Sequence, residues 1–255
     1  MTASFRPAVA VVQARLTSTR LPGKILKPLA GAPLICRCVE RVARIRGIDA
    51  VVVALAAGSA HDPAVEALKG FAATVVRGPE DDVLARTAAA ARAAGAATVM
   101  RITSDCPMID PDVSAAVLQA YLAAAGSGVR YARTAFDEGF PLGFDTEVFG
   151  ADLLAEADRA ARDPYEREHV TPYIWRRPEQ FASLIISARP DRRHWRLVVD
   201  TSDDYRLASG VYDALYPQNP QFGYLDLRRL FEARPEMLQI NAHVQQRPYV
   251  GLNHA

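Results

Sequence analysis

Residues Ala8–Lys24 read AVAVVQARLTSTRLPGK, and the fold turns on them. The first part, Ala8 to Gln13, is a short apolar run with no polar alternation. It is too short for a core helix and too apolar for a strand with one wet face, so it reads as a strand buried on both faces. The second part is a polar loop. It carries Arg15, Arg20 and Lys24 beside small hydroxyl residues and Gly23, and it contains no acid.

Working outward, the same pattern recurs. Ala50–Leu55 (AVVVAL), Thr74–Arg77 and Ala97–Thr103 (ATVMRIT) are further apolar runs. Helical patterns separate them: Pro33 to about Arg44, His61 to Gly70, Asp82 to Ala94 with Gly95 as the stop, and a helix after Pro111. Strands alternating with helices predict an α/β fold with a mostly parallel, Rossmann-like sheet covered on both faces. The second half is less regular. Gly143–Phe149, Ser183–Ser187 and Arg196–Val199 read as strands. Ala151–Ala161 and Arg167–Arg176 read as helices, the latter despite Pro172. A helix starts at Thr201 or Ser202, where Thr201-x-x-Asp204 forms a capping box, and Leu225–Ala233 is a last helix stopped by Pro235. The segment from Ala242 is rich in Gln, Pro and His and is expected to be partly loose. No repeat or long linker divides the 255 residues, so a single domain is expected.

Composition narrows the function. Hydrophobic residues make up 50% and charged residues 23%, as in an ordinary globular protein. Thirty basic against 29 acidic residues give a net charge of +1, which excludes a global basic field for nucleic acid or a membrane surface. Lys24, Lys27 and Lys69 are the lysines among many arginines. Cys36, Cys38 and Cys106 form no framework and point to a reducing compartment. The opening residues lack a charged segment followed by a long apolar one, and no run approaches the roughly 20 apolar residues of a membrane span, so a cytoplasmic location is expected.

Ligands of open parallel sheets bind outside the carboxyl ends of the strands. Four polar segments fall at such ends: 14–24, 77–82, 104–107 and 200–203. In the first, the three cations suit a polyphosphate, though a solvated basic loop has the same composition. It is not a Walker loop, because Ser18 stands where the first Gly belongs and Ile25 where Ser or Thr belongs. Asp105 and Asp200 each close an apolar run; together they suit Mg²⁺, and separately each suits a capping turn. His169 has dense polar company. Cys106 has no base nearby and reads as a small buried residue. Trp175 and Trp195 read as core or interface residues.

The stretch VVQARLTSTRLPGKILKPLAGAPLI, residues 11–35, closely resembles the N-terminal signature of the sugar cytidylyltransferases: the 3-deoxy-manno-octulosonate and acylneuraminate enzymes and the spore-coat SpsF branch. RITSDCPMIDPDV (101–113), EREHVTPYIWRRPEQF (166–181) and RLVVDTSDDYRL (196–207) look most like the SpsF branch, and the resemblance is collinear to about residue 240. It implies the nucleotide-diphospho-sugar transferase fold, with a nucleotide-binding half over roughly 1–125 and a sugar-binding and dimerisation half over 126–240. It implies a homodimer in which CTP reacts with an acidic sugar and Mg²⁺ is the cofactor. By position, Ala14, Arg15, Arg20, Lys24 and Ser104 match nucleotide-binding residues, with Asp81, Asp82 and Arg86 where the family builds its cytosine pocket. Asp105 and Asp200 match metal ligands. His169, Tyr173 and Asp145 match sugar-side residues. Arg15, Lys24, Asp105 and Asp200 would carry the chemistry. The run Ser104-Asp105-Cys106-Pro107 departs from the octulosonate and sialate enzymes, which leaves the sugar open. Two other readings stay open: a metal-dependent glycosyltransferase using a nucleotide sugar, and a non-catalytic nucleotide- or sugar-binding homologue.

Overall fold

A computed structural model describes residues 5–246. Strand β1 (Ala8–Ala14) leads through the polar loop to a short hairpin, β2 (Pro28–Leu29) and β3 (Ala32–Pro33). Then come α1 (Leu34–Val42), β4 (Ala50–Ala56), α2 (Asp62–Ala67), β5 (Thr74–Gly78), α3 (Val83–Ala93), β6 (Thr98–Thr103) and α4 (Pro111–Ala124). The second half holds β7 (Tyr131–Thr134), β8 (Glu147–Gly150), α5 (Ala151–Ala160), α6 (Pro164–His169), α7 (Pro172–Trp175), β9 (Ser183–Ile186), α8 (Ser202–Leu215) and α9 (Tyr224–Ala233).

Among the described residues the main sheet has seven strands in the order β5-β4-β1-β6-β8-β7-β9. The first four are mutually parallel; β8 runs antiparallel to both β6 and β7, and β9 is parallel to β7. The expected mostly parallel α/β sheet is therefore present. Residues of β1 alternate between two cores. Ala8, Ala10, Val12 and Ala14 pack with Val39 and Leu118 on one face, and Val9 and Val11 with Leu84 and Phe149 on the other. Each fully buried valine or leucine contributes about 1.5–3 kcal/mol relative to exposure, which explains the continuous apolar runs. A third core gathers α8 and α9 around Trp195, Leu197 and Val199.

Three readings of the second half are corrected. Arg196–Val199 is extended but joins no ladder; only an isolated bridge between Leu142 and Arg196 marks it. Its apolar residues are buried against helices, so the apolar run reported burial and not sheet pairing. The helix expected over 167–176 is two helices. Val170 between them has φ 73, Thr171 precedes α7, and Pro172 opens it without an N–H to continue the earlier turn. The strand expected from Gly143 begins at Glu147, after a turn in which the Gly143 N–H donates to Asp145 Oδ2 at 2.9 Å. Strand β7, Tyr131–Thr134, escaped the sequence reading. Pro33 precedes α1 as its cap.

Register brings the loops together. Gln13 pairs with Thr103 and Ala14 with Leu55, so the loops after β1 and β6 leave the same end of the sheet side by side.

Candidate active site

Gly23 sets the geometry of the first loop. It adopts φ 66, a left-handed conformation that costs glycine little, and its N–H donates to the Leu16 carbonyl at 3.1 Å. The chain then turns through a short 3₁₀ segment that buries Lys24. Its ammonium donates to Asp105 Oδ2 at 2.7 Å, to Asp200 Oδ1 at 2.8 Å and to the Val199 carbonyl at 2.8 Å. All three ammonium donors are satisfied, and two carboxylates from distant loops meet at one nitrogen.

The loop 104–110 follows β6, and Asp105 projects from it. Asp200 arrives by a different route. Leu142 exchanges backbone hydrogen bonds with the 195–197 segment, Leu142 N–H to Trp195 O at 3.0 Å and Leu197 N–H to Leu142 O at 2.7 Å. The Val199 N–H then donates to the Asp105 carbonyl at 2.9 Å, so backbone fixes the two acidic residues beside each other. Arg20 Nη2 lies 2.9 Å and Arg196 Nη2 2.8 Å from Asp200 Oδ2. Behind them Asp204, with a fully buried side chain, accepts from Arg196 Nε and from the backbone N–H groups of Asp200 and Thr201. Thr201 and Asp204 form the capping box of α8 read from the sequence.

Electrostatics follow from this packing. Burial pushes the Lys24 pKa down, but Asp105 and Asp200 outweigh it and hold the ammonium above its ordinary value. Burial pushes Asp105 up, and Lys24 more than reverses that, so its carboxyl stays below the usual range. Burial lowers His169, and Arg101 and Arg15 add to the effect, which favours a neutral imidazole. Burial drives the Cys106 thiol well above its ordinary value, so it is protonated and inert. None of the three cysteines is in a disulfide.

These groups line one cleft of about 520 Å³. Ala14, Arg15, Arg20, Lys24, Arg86, Ser104, Asp105, Asp145, His169 and Asp200 all reach it, which unites most of the residues singled out in the sequence. Arg15 lies 3.9 Å from Glu168 with much of its side chain in solvent, an exposed pair contributing about 0–1 kcal/mol. Arg86 is buried and also shapes the wall, donating from Nε to the Ala54 carbonyl and from Nη1 to the Pro79 and Glu80 carbonyls; burial lowers its pKa to about 10. Asp145 accepts from Arg193 Nη1 at 2.7 Å. Three residues fall outside the cleft lining. Asp81 is exposed, Asp82 caps α3 through the Ala85 N–H and pairs with Arg167, and Tyr173 packs into the core against Phe181. The restart at Pro172 rotates Tyr173 inward and places Trp175 in the cleft, edge-on to Phe136 at 6.1 Å.

Glu147 in the cleft and Arg196 behind it had no sequence signal. Glu147 is buried and accepts from Arg101, Tyr131 and Thr171. Arg196 buttresses Asp200, a contact visible in the sequence only as an i,i+4 spacing outside any helix.

The donor set suits a hard divalent cation. Asp105 and Asp200 offer oxygen only, they converge, and the space between them already accepts the Lys24 ammonium, so a cation there is compatible with the local charge. Among the described residues no cluster of three or more His, Cys, Asp or Glu forms a closed protein cage. Two carboxylates with room for phosphate oxygens and water is the usual Mg²⁺ arrangement.

Comparison with known proteins identifies the family and the fold. A family profile described as cytidylyltransferase matches residues 9–212. The spore coat polysaccharide biosynthesis protein SpsF of Bacillus subtilis is 33% identical over 238 residues, covering 89% of this chain and 94% of that protein. A 3-deoxy-manno-octulosonate cytidylyltransferase of Anaeromyxobacter dehalogenans is 35% identical over 134 residues, about half of each chain (51% and 52%). The solved structure of a cytidylyltransferase from Leptospira borgpetersenii superposes with a TM-score of 0.86 at 29% identity, covering 95% of this chain and 99% of that one. No helix among the described residues is long and apolar enough to cross a membrane.

Proposed function

The chain belongs to the cytidylyltransferase family, and from that premise we propose that it transfers CMP from CTP to a hydroxyl of an acidic sugar and releases pyrophosphate. One observation carries the proposal: Lys24 of the cationic loop touches both Asp105 and Asp200 across a single cleft. A nucleotide triphosphate needs that juxtaposition, because its leaving pyrophosphate and its α-phosphorus require charge neutralisation more than covalent help.

Arg15, Arg20 and Lys24 bind the β- and γ-phosphates and stabilise the leaving group. Asp105 and Asp200 hold Mg²⁺, which supplies charge neutralisation and polarisation at the phosphate oxygens when bound. Arg20 and Lys24 are bound to those carboxylates in the free protein, so both cations stand within reach of the site before nucleotide arrives. Ala14 and Ser104 shape the nucleotide side, with Arg86 behind it. His169 and Asp145 orient the sugar, and the aromatic pair Phe136 and Trp175 gives its ring an apolar wall. A cytoplasmic homodimer is part of the same reading; the edge strand β9 exposes Ile185, and light scattering tests the assembly.

The test is pyrophosphate release with CTP, UTP, GTP and ATP, with and without Mg²⁺, across octulosonate- and nonulosonate-type sugars. The expected result is CTP-selective, Mg²⁺-dependent release. Preference for another nucleotide overturns the proposal. Release of a nucleoside diphosphate from a nucleotide sugar would move the protein to the glycosyltransferase reading.

A further inference from the structure

A second cavity, of about 460 Å³, opens between α1 and the carboxyl end of α8 and shares no lining residue with the cleft. Its volume falls in the range of small-molecule sites. Arg37 and Arg41 of α1 and Arg44 just beyond it line the cavity, with Glu40 as the acid among the lining residues. Arg37 is engaged through all three of its nitrogens: it donates to the Leu29 and Ala30 carbonyls, to Glu40 and to the Tyr216 hydroxyl. That leaves Arg41 and Arg44 without an acid in the cavity wall.

Arg41 is 3% exposed. Its Nε donates to the Ile109 carbonyl at 2.7 Å and its guanidinium lies over the Phe222 ring, yet its buried Nη2 has no hydrogen-bond partner among the described residues. Arg44 likewise has a buried, unpartnered Nε. A buried guanidinium N–H left unpaired is destabilising, because its hydration is lost and not replaced. Burial lowers the Arg41 pKa, and the like charge of Arg44 lowers it further. The nearby Asp110 offsets part of this by its charge but makes no hydrogen bond to Arg41. Its Oδ1 accepts from the Asp112 and Val113 N–H groups and its Oδ2 from the Tyr224 N–H. Two guanidinium groups close enough to repel line a cavity that also presents Phe71 and Tyr216, and each keeps an unpartnered donor buried behind that wall; the excess positive charge calls for an oxyanion carried on a flat apolar body.

We propose that this cavity is a second ligand site, distinct from the nucleotide cleft, that binds a small organic anion through its phosphate or carboxylate at Arg41 and Arg44. The apolar part of the ligand lies against Phe71 and Tyr216. The site sits behind the loop that carries Asp105, since Arg41 holds the Ile109 carbonyl and the Tyr212 hydroxyl holds the Pro107 carbonyl at 2.6 Å.

The test is calorimetric titration of the full chain with phenyl phosphate, benzoate and, as a neutral control, phenol, with excess CTP present so that the cleft is filled. The expected result is saturable binding of phenyl phosphate or benzoate, one per chain, and none of phenol; the tighter of the two anions tells a phosphate ligand from a carboxylate one. Arg44→Gln, at a half-exposed position, should weaken that binding roughly tenfold or more, and Arg44→Glu should abolish it. Arg41→Gln should also abolish it where circular dichroism shows a folded chain. Absence of saturable binding of either anion, or binding unchanged by both Arg44 variants, overturns the proposal.

Discussion

Asp204 fixes Asp200 from behind. Its Oδ2 accepts the Asp200 backbone N–H at 3.0 Å, which sets the turn that aims the Asp200 carboxylate at Lys24. The same carboxylate also accepts from Thr201 N–H, Arg196 and Asn241 Nδ2. Asp204→Asn would face two of these donors with an amide N–H₂. Breaking one partner of a buried ion pair costs about 3–5 kcal/mol, and urea unfolding should show a loss of that order. An unchanged midpoint would deny Asp204 its supporting role.

Lys24→Gln removes the shared cation and leaves two carboxylates facing each other. The loss should fall near the lower end of about 3–5 kcal/mol, because Asp105 keeps some solvent contact. Its pH dependence has a definite sign. The Asp105 pKa is depressed in the fold, so its stabilisation is whole above the unfolded value of 3.8 and fades as pH falls through the folded value. The Lys24 pKa is raised, so its stabilisation is whole below 10.5 and fades as pH climbs through the folded value. The stability gap between wild type and Lys24→Gln should therefore be largest between these limits and shrink below pH 3.8. A gap independent of pH would contradict the pairing.

Asp200→Asn should cut pyrophosphate release by about 10²-fold or more, as loss of a preorganised electrostatic group does. Arg196 keeps Asp204 and Lys24 keeps Asp105 as partners in this variant, but the Asp200 charge is lost to Lys24, Arg20 and Arg196, so the melting temperature should fall and turnover is compared well below it. Normal turnover would refute the role of Asp200 at the metal.

His169→Gln should raise KM for the sugar more than KM for CTP. The wild-type imidazole is held neutral, with its pKa below 6.5 by burial. Protonation is therefore resisted, and the sugar KM should stay flat from pH 8 to 6.5 and rise only at lower pH. Steady-state kinetics on the Gln variant should lack that acid limb; if the limb persists, another group produces it.

Gly143→Ala tests the turn beside Asp145. Gly143 has φ +106, and a Cβ would stand 2.8 Å from the Leu197 carbonyl carbon and 2.9 Å from the Val198 nitrogen. Neither backbone atom can move without loosening the 142–197 clasp. A destabilisation of about 1–3 kcal/mol is expected by denaturant titration.

Much of this site was legible in the sequence because local chemistry wrote it there. Arg15, Arg20 and Lys24 sit in one acid-free loop after a buried strand, and Asp105 and Asp200 each close an apolar run. The capping box at Thr201 and Asp204 is a spacing rule, and it is present. What escaped depends on partners far along the chain. Glu147 matters through Arg101, Tyr131 and Thr171, none of which is near it in sequence. Arg196–Val199 has strand-like composition but packs on helices without a ladder, a distinction set by tertiary neighbours. Tyr173, matched to the sugar side by resemblance, packs against Phe181 while Trp175 lines the cleft; the break at Val170 sets that orientation, and position along the chain does not report it.

Asn241 lies beyond the matched family segment, yet its amide reaches back to the Arg196 carbonyl at 2.9 Å and to Asp204 at 2.8 Å. Ending the chain at residue 212 would therefore unlatch the brace behind Asp200, and it would also strip Phe222 and α9 from the core that seats Trp195, Leu197 and Val199. A minimal catalytic version of this enzyme has to extend past that asparagine.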